Sequence, residues 1–351
     1  MVEAARRLSG IEALRGIAAT IVVLYHAARH VDKAHGAPWL MWTFLGGHAG
    51  VDLFFVISGF IIFYVHEKDV GRPKRLTYYV VRRFVRIMPL YWIALAITAA
   101  MAVLGHGAPS ASTLAWSASL LPTVEEPFLG IAWTLQFEMV FYAAFALFVL
   151  NRSAGVVVFT VWGAVMVAGA AGLRLPGAAW VLSSGYGAEF FAGMAAAVLV
   201  RRSLVRAPLV VATVGAGLFV AAMVAESLGI LDGRGGTARI VFGCPAGLIV
   251  AGLAAADQVG HGIMLGGFWG RLLRKLGVAT YSIYLFQFVF IGVVWQVWLR
   301  AGLAERISDV LLFVCLSAAA LVGGVVVSRT IEHPLRRRMQ ERHQPGVVQA
   351  G

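Results

Sequence analysis

Charge is what this chain lacks. Of its 351 residues only 13% are Asp, Glu, Lys or Arg, about half the roughly 25% of a soluble domain, which excludes an ordinary water-soluble fold. Cysteine is almost absent. Cys244 and Cys315 both stand in apolar runs, packing is their simplest role, and no disulfide framework is readable. No repeat or low-complexity tract is evident. The first apolar run is long and lacks a small-residue cleavage site, so it is expected to remain as a helix rather than leave as a signal peptide.

What is present is apolar. A 60% hydrophobic content, a mean hydropathy of +0.82 and 40 glycines are the composition of a polytopic helical membrane protein, in which glycine lets backbones approach closely. The net charge of +12 would suit nucleic acid. The bases fall between apolar runs, however, where they serve topology and anionic lipid instead, so membrane lipid is an expected partner and nucleic acid is not.

The hydrocarbon core takes about 20 apolar residues of helix. Ten runs qualify, at 11–29, 50–66, 87–105, 132–150, 155–172, 186–200, 208–227, 239–258, 276–299 and 308–328. The expected fold class is all-α, a polytopic integral membrane protein of about ten transmembrane helices. One membrane domain covers residues 1–342 and a short tail covers 343–351. Longer connections fall at 66–86 and 105–131.

Lys and Arg placement sets orientation. With the N-terminus in the cytoplasm, that side collects Arg6, Arg7, seven bases from Lys68 to Arg86, Arg152, three in 201–206, three in 271–275 and five in 329–342, 21 in all against 7 outside. Ten spans return the C-terminus to the same side. The connection 105–131, with no Lys or Arg, falls outside.

Ionisable groups inside spans are costly and mark function by default. Arg15 and His26 stand 11 residues apart in the first run, close to three helical turns, so they share one face about 16 Å apart along the axis. Arg15 alone reads as a snorkelling arginine, and His26 alone as an interhelical hydrogen-bonder. Together they read as a site with two stations. In "GVDLFFVISGFII", Asp52 opens the second span at the depth of His26, where it either orients the imidazole or caps the helix. Ser58 and Gly59 lie deeper and suit close packing.

In "RRFVRIMPLYW", Arg82, Arg83 and Arg86 stand at the mouth of the third span, with Pro89 in its first turn. Guanidinium forks there suit phosphate, and a stop-transfer cluster is the plainer alternative. "AWTLQFEMVFY" places Trp133 at the outer interfacial belt and Glu138 well inside, with Tyr142 one turn on. Glu138 needs a partner among the arginines, His26 or a hydroxyl. Tyr281, Ser282, Tyr284 and Gln287 of "ATYSIYLFQFVF" read as helix glue, and "RTIEHPLRRR", with Glu332, as an anchor on anionic lipid. A transporter or flippase with Arg15, His26 and Glu138 along its path is the rival to an enzyme, and the missing inverted repeat counts mildly against it.

The ordered set "EALRGIAATIVVLYH", "GVDLFFVISGFII", "RRFVRIMPLYW", "WTLQFEMVFY", "YSIYL" and "EHP" resembles the membrane-bound acyltransferase 3 family over nearly the whole chain. Within it, the chain is most similar to the stand-alone exopolysaccharide acetyltransferases. The resemblance implies transfer of an acyl group, usually acetyl in such enzymes, from cytoplasmic acyl-CoA to a hydroxyl of an extracytoplasmic or lipid-linked glycan, in a bacterial inner membrane. It implies Arg15, Arg83 and Arg86 as binders of the CoA phosphates. It implies His26, Asp52 and Glu138 in the chemistry and Ser58, Trp133 and Tyr142 toward substrate, with no metal. Many members have a histidine after "YSLYL", where this chain has Phe286 and Gln287, so proton transfer from that position is not expected here.

The base count makes a direct prediction. After Cys244 and Cys315 are replaced, a cysteine at Ser110 should react with an impermeant maleimide in intact cells and one at Lys74 should not; the reverse pattern would invert the topology.

Overall fold

A computed structural model describes residues 8–105, 107–260, 267–303 and 306–343. Arg6, Arg7 and residues 344–351 of the expected tail lie outside them. Helices and irregular connections make up the described residues, with no strand among them. In chain order, α1 (Ser9–His35) is followed by the short α2 (Pro38–Phe44), then α3 (Gly50–His66), α4 (Leu76–Gly105) and the short α5 (Ala111–Ser119). Next come α6 (Ala132–Leu150), α7 (Arg152–Ala170), the single turn α8 (Trp180–Ser183), α9 (Tyr186–Arg201) and α10 (Pro208–Ser227). The last are α11 (Ala238–Gln258), α12 (Gly267–Val278), α13 (Thr280–Arg300), α14 (Asp309–Val327) and α15 (His333–His343). Nine described helical segments are long and apolar enough to cross a membrane, and the chain is an integral membrane protein.

The expected span that is not among these nine is the sixth, at 186–200, where α9 has 16 residues. At 1.5 Å per residue it is about 24 Å long, shorter than a hydrocarbon core of about 30 Å. It is packed against α3 and α11, so its ends meet protein instead of lipid. It nevertheless runs the length of the bundle. Glu189 near its start lies beside Arg239, while Arg201 at its end bonds the Tyr64 carbonyl and pairs with Glu67 at 3.5 Å.

The bundle has two chemically different ends. At one, Ser9 Oγ and the Gly10 amide donate to Asp257, each at 2.9 Å, and Glu12 shares a cleft with Arg329 and His333. The first and last long helices therefore begin and finish on the same side. The bases counted together in the sequence gather here, with Arg75 on Asp69, Arg201 on Glu67 and Arg271, Arg274 and Lys275 around Glu12. At the other end His48 meets Glu226 and Arg239 meets Asp52.

The third span starts earlier than expected. Helix α4 begins at Leu76, so Arg82, Arg83 and Arg86 stand within a helix instead of at its mouth. Arginine is a good helix former; loss of apolarity, not of helicity, ended the run in the sequence. Pro89 is consequently mid-helix, where it cannot donate to the Val85 carbonyl. Tyr281 Oη donates to the nearby Ile87 carbonyl at 2.8 Å and ties α13 to this turn.

Two glycines set the α3–α9 crossing. A Cβ on Gly59 would run into the Phe190 carbonyl, and one on Gly193 into the Val56 carbonyl, so only glycine permits this approach. Gly59→Leu should lower the thermal midpoint in detergent, by the equivalent of about 1–3 kcal/mol or more. Gly217→Ala, at a helical glycine with nothing within 4 Å of the added Cβ, should be neutral or stabilising. Equal midpoints for Gly59→Leu and the wild type would remove the close crossing.

Candidate active site

Helix periodicity brings five helices onto one cavity of about 170 Å³. Helix α1 supplies Arg15, α3 Ser58, α4 Arg83 and Arg86, and α6 Glu138 and Tyr142, with Tyr281 and Tyr284 of α13 closing it. On α6 the lining residues Thr134, Glu138 and Tyr142 recur every four residues, one face of a helix. Glu138 finds its partner in a hydroxyl: Ser58 Oγ donates to its Oε1 at 2.5 Å and lies 3.4 Å from Tyr142 Oη.

The arginines differ in how they are matched. Arg86 Nη1 donates to Glu332 Oε1 at 2.9 Å. The other oxygen of Glu332 accepts from Ser282 Oγ at 2.6 Å and from Ser328 Oγ at 3.3 Å. Arg83 stacks over the Tyr142 ring at 5.9 Å, and its Nε is buried without a hydrogen-bond partner. Arg15 makes no hydrogen bond or ion pair within 4 Å among the described residues. Arg15 and Arg83 thus line the cavity without a direct ion pair, and Glu138 is the one carboxylate that shares its wall with Arg15, Arg83 and Arg86.

A second, larger cavity of about 570 Å³ opens at the other end and is lined by His26, Tyr25, His48, Trp133, Tyr186 and Arg234 among others. The His26 ring packs edge-on against Tyr25 and Phe288, at centroid distances of 4.9 and 4.6 Å. Its nitrogens make no hydrogen bond among the described residues, so the imidazole is held by rings and left free toward the cavity. Val51 and Tyr284 line both cavities, and one layer of side chains divides them. The Tyr284 hydroxyl lies 2.9 Å from Thr134 Oγ1 and donates to the Ile131 carbonyl at 3.3 Å. Because α1 is unbroken from Ser9 to His35, the spacing of Arg15 and His26 sets one residue in each cavity, about 16 Å apart along the axis.

Asp52 does not orient His26. It is fully buried, lines neither cavity and pairs with Arg239. The same guanidinium bonds the Gly233 carbonyl, lies 3.6 Å from Glu189 and stacks over Tyr186 at 4.4 Å. The depth read from span order was right; the azimuth was not, since Val51 faces the cavities and Asp52 is turned about 100° further round the helix. Trp133 is likewise no belt residue. It packs on the rings of Phe55, Phe137 and Tyr186 and faces the second cavity.

Three groups escaped the sequence. Glu332 is buried against Arg86 rather than at a lipid surface, because a π-helical turn over Ser328–Glu332 swings it inward; Pro334 two residues on was the only hint. Arg239, counted as an outer base, is 3% exposed and carries the buried clamp. His48 Nε2 lies 2.7 Å from Glu226 Oε1 in the wall of the second cavity, a pairing across 178 residues that no local pattern announces. Gln287 donates to the Tyr284 carbonyl at 3.0 Å and lines neither cavity.

Comparison with known proteins meets this geometry. The acyltransferase 3 model, described as an acyltransferase domain, matches residues 8–329. The chain belongs to the acyltransferase 3 family. It is 30% identical over 341 residues to the exopolysaccharide production protein ExoZ of Rhizobium meliloti, covering 91% of this chain and 96% of that one. It is 31% identical over 155 residues to BcsY of Komagataeibacter xylinus, a protein provisionally named as a membrane-bound transacylase, covering 39% of this chain and 36% of that one. No solved structure matches it. As an acyltransferase 3 protein, the chain has its matched region spanning both cavities and every helix around them.

The Asp52–Arg239–Glu189 cluster makes a stability prediction. Arg239→Leu leaves two buried carboxylates without their cation and should cost about 3–5 kcal/mol, read as a lower thermal midpoint in detergent. A variant that melts with the wild type would show that the clamp does not hold the bundle.

Proposed function

We propose that the protein moves an acyl group, acetyl in the simplest case, from cytoplasmic acyl-CoA to a hydroxyl of an extracytoplasmic or lipid-linked polysaccharide. The observation that carries this is the pair of adjoining cavities, one bearing the unmatched Arg15 and Arg83 and the other a free His26, set along a single helix. The name of the ExoZ relative supports a polysaccharide acceptor, and family membership favours group transfer over the transporter reading.

In this reading the Arg15 end faces the cytoplasm of a bacterial inner membrane, as the base count supports, and both termini lie there. Arg15, Arg83 and Arg86 hold phosphate of the donor, and its thin arm reaches past Tyr284 toward His26. His26 takes the proton of the acceptor hydroxyl as that oxygen attacks the thioester carbonyl. The new C–O bond forms, the C–S bond breaks, and the imidazolium returns the proton to the departing thiolate. Glu138 and Tyr142, tied through Ser58, position the donor side of the reaction. Trp133 and its aromatic neighbours offer faces to a sugar ring. No metal is part of this scheme.

The test is acyl transfer by purified variants in liposomes, with CoA binding measured separately. His26→Gln keeps a hydrogen-bonding side chain but cannot take a proton, and should lose about 10²–10⁴ in rate while still binding CoA. Arg83→Gln should instead weaken CoA binding. Near-normal transfer by His26→Gln would remove the general-base role, and unchanged CoA affinity in Arg83→Gln would remove the donor site.

A further inference from the structure

Apart from both cavities, the Arg15 end carries a cleft of about 350 Å³ between α12, the start of α1 and the π-helical turn after α14. Arg271, Arg274, Lys275 and Arg329 line it with His333, and Glu12 is the one carboxylate in its walls. None of the four cations has a hydrogen bond or ion pair within 4 Å among the described residues. The floor is apolar, made by Val278, Ala279 and Val325.

The helix that supplies three of these bases has the character of an interfacial helix. Helix α12 leads directly into the start of the membrane-crossing helix α13 at Thr280. It seats Gly277 under the Glu12 carbonyl, where a Cβ would collide. Its first turn exposes Phe268 at 63% and Trp269 at 68%. Exposed aromatics followed by Arg and Lys on a short amphipathic helix are what the headgroup region selects.

We infer that this cleft binds the phosphate headgroup of an anionic phospholipid from the surrounding leaflet. The guanidinium forks of Arg271, Arg274 and Arg329 converge from two separate elements, with Lys275, on a cleft whose single carboxylate, Glu12, leaves three of the four cations unbalanced, and phosphate is the anion such forks match. The apolar floor accepts the first carbons below the headgroup. The occupant also braces the donor side of the protein, because the same π-helical turn presents Arg329 to this cleft and Glu332 to Arg86.

The experiment uses the full chain in phosphatidylcholine nanodiscs titrated with phosphatidylglycerol, read by native mass spectrometry and thermal midpoint. Phosphatidylglycerol should bind and raise the midpoint. In Arg271→Gln/Arg274→Gln/Arg329→Gln the affinity should fall on the order of a hundredfold, with the midpoint in pure phosphatidylcholine unchanged. A triple variant that keeps its lipid response but loses affinity for 3′,5′-ADP would assign the cleft to a soluble nucleotide phosphate and overturn the lipid. Should the triple variant fail to fold, photo-crosslinking of a benzophenone-tagged phosphatidylglycerol to the wild type decides. Label on the peptides bearing Arg271–Lys275 and Arg329 supports the site, and label confined to other surfaces overturns it. No readout involves acyl transfer, so this site and the proposed reaction stand or fall separately.

Discussion

A charge inside a membrane bundle needs a partner or a ligand, and the arrangement of this protein follows from how each buried charge is matched. Arg239 is matched by Asp52 and Glu189, and Arg86 by Glu332. These pairs join helices distant in sequence, and in the fully buried Asp52–Arg239–Glu189 cluster removing the cation strands two carboxylates away from water. Arg15 and Arg83 are different. They line a cavity with tyrosine rings and hydroxyls around them, and its single carboxylate, Glu138, makes no direct ion pair with either. Cations therefore outnumber carboxylates in this cavity, and under the proposed reaction an anionic donor makes up the difference.

Helix α1 turns that imbalance into a layout. A continuous helix is a ruler of about 1.5 Å per residue, so Arg15 and His26 cannot drift toward or away from each other as long as α1 stays unbroken. Close packing keeps it in place. A Cβ on Gly16 would strike the Leu273 carbonyl, one on Gly50 the Ala18 carbonyl and one on Gly277 the Glu12 carbonyl, so α1 is gripped by α12 and α3 at backbone distance. The hydroxyls of Thr134 and Tyr284 stand between the two stations and join α6 to α13 there. Under the proposed reaction this layer is what a donor arm passes and what keeps the two cavities from merging into a water path.

The legibility of the site varied with the kind of information each residue needed. Arg15 with His26, and Arg83 with Arg86, were visible because both members of each pair lie on one helix, where spacing alone sets the shared face. Ser58, Glu138 and Tyr142 were visible as polar groups in apolar runs. Their mutual contact was not, because it joins α3 to α6 across 80 residues. Asp52 shows the limit most sharply: its depth followed from where its span begins, but the partner it meets depends on how α3 is rotated against α9 and α11.

By itself the sequence determined the membrane-embedded helical class, the near-complete set of spans, the clustering of bases at one end, the family and the shared helix face of Arg15 and His26. These depend on apolar length, charge placement and intrahelical spacing, all of which are local. Only the tertiary structure decided that Asp52 belongs to a structural clamp and that Glu332 reaches Arg86 by way of a π-helical turn. It alone decided that His48 and Glu226 meet and that Trp133 faces a cavity instead of lipid. Those outcomes rest on helix rotation and on contacts between residues far apart in the chain, and no periodicity within a single helix encodes either.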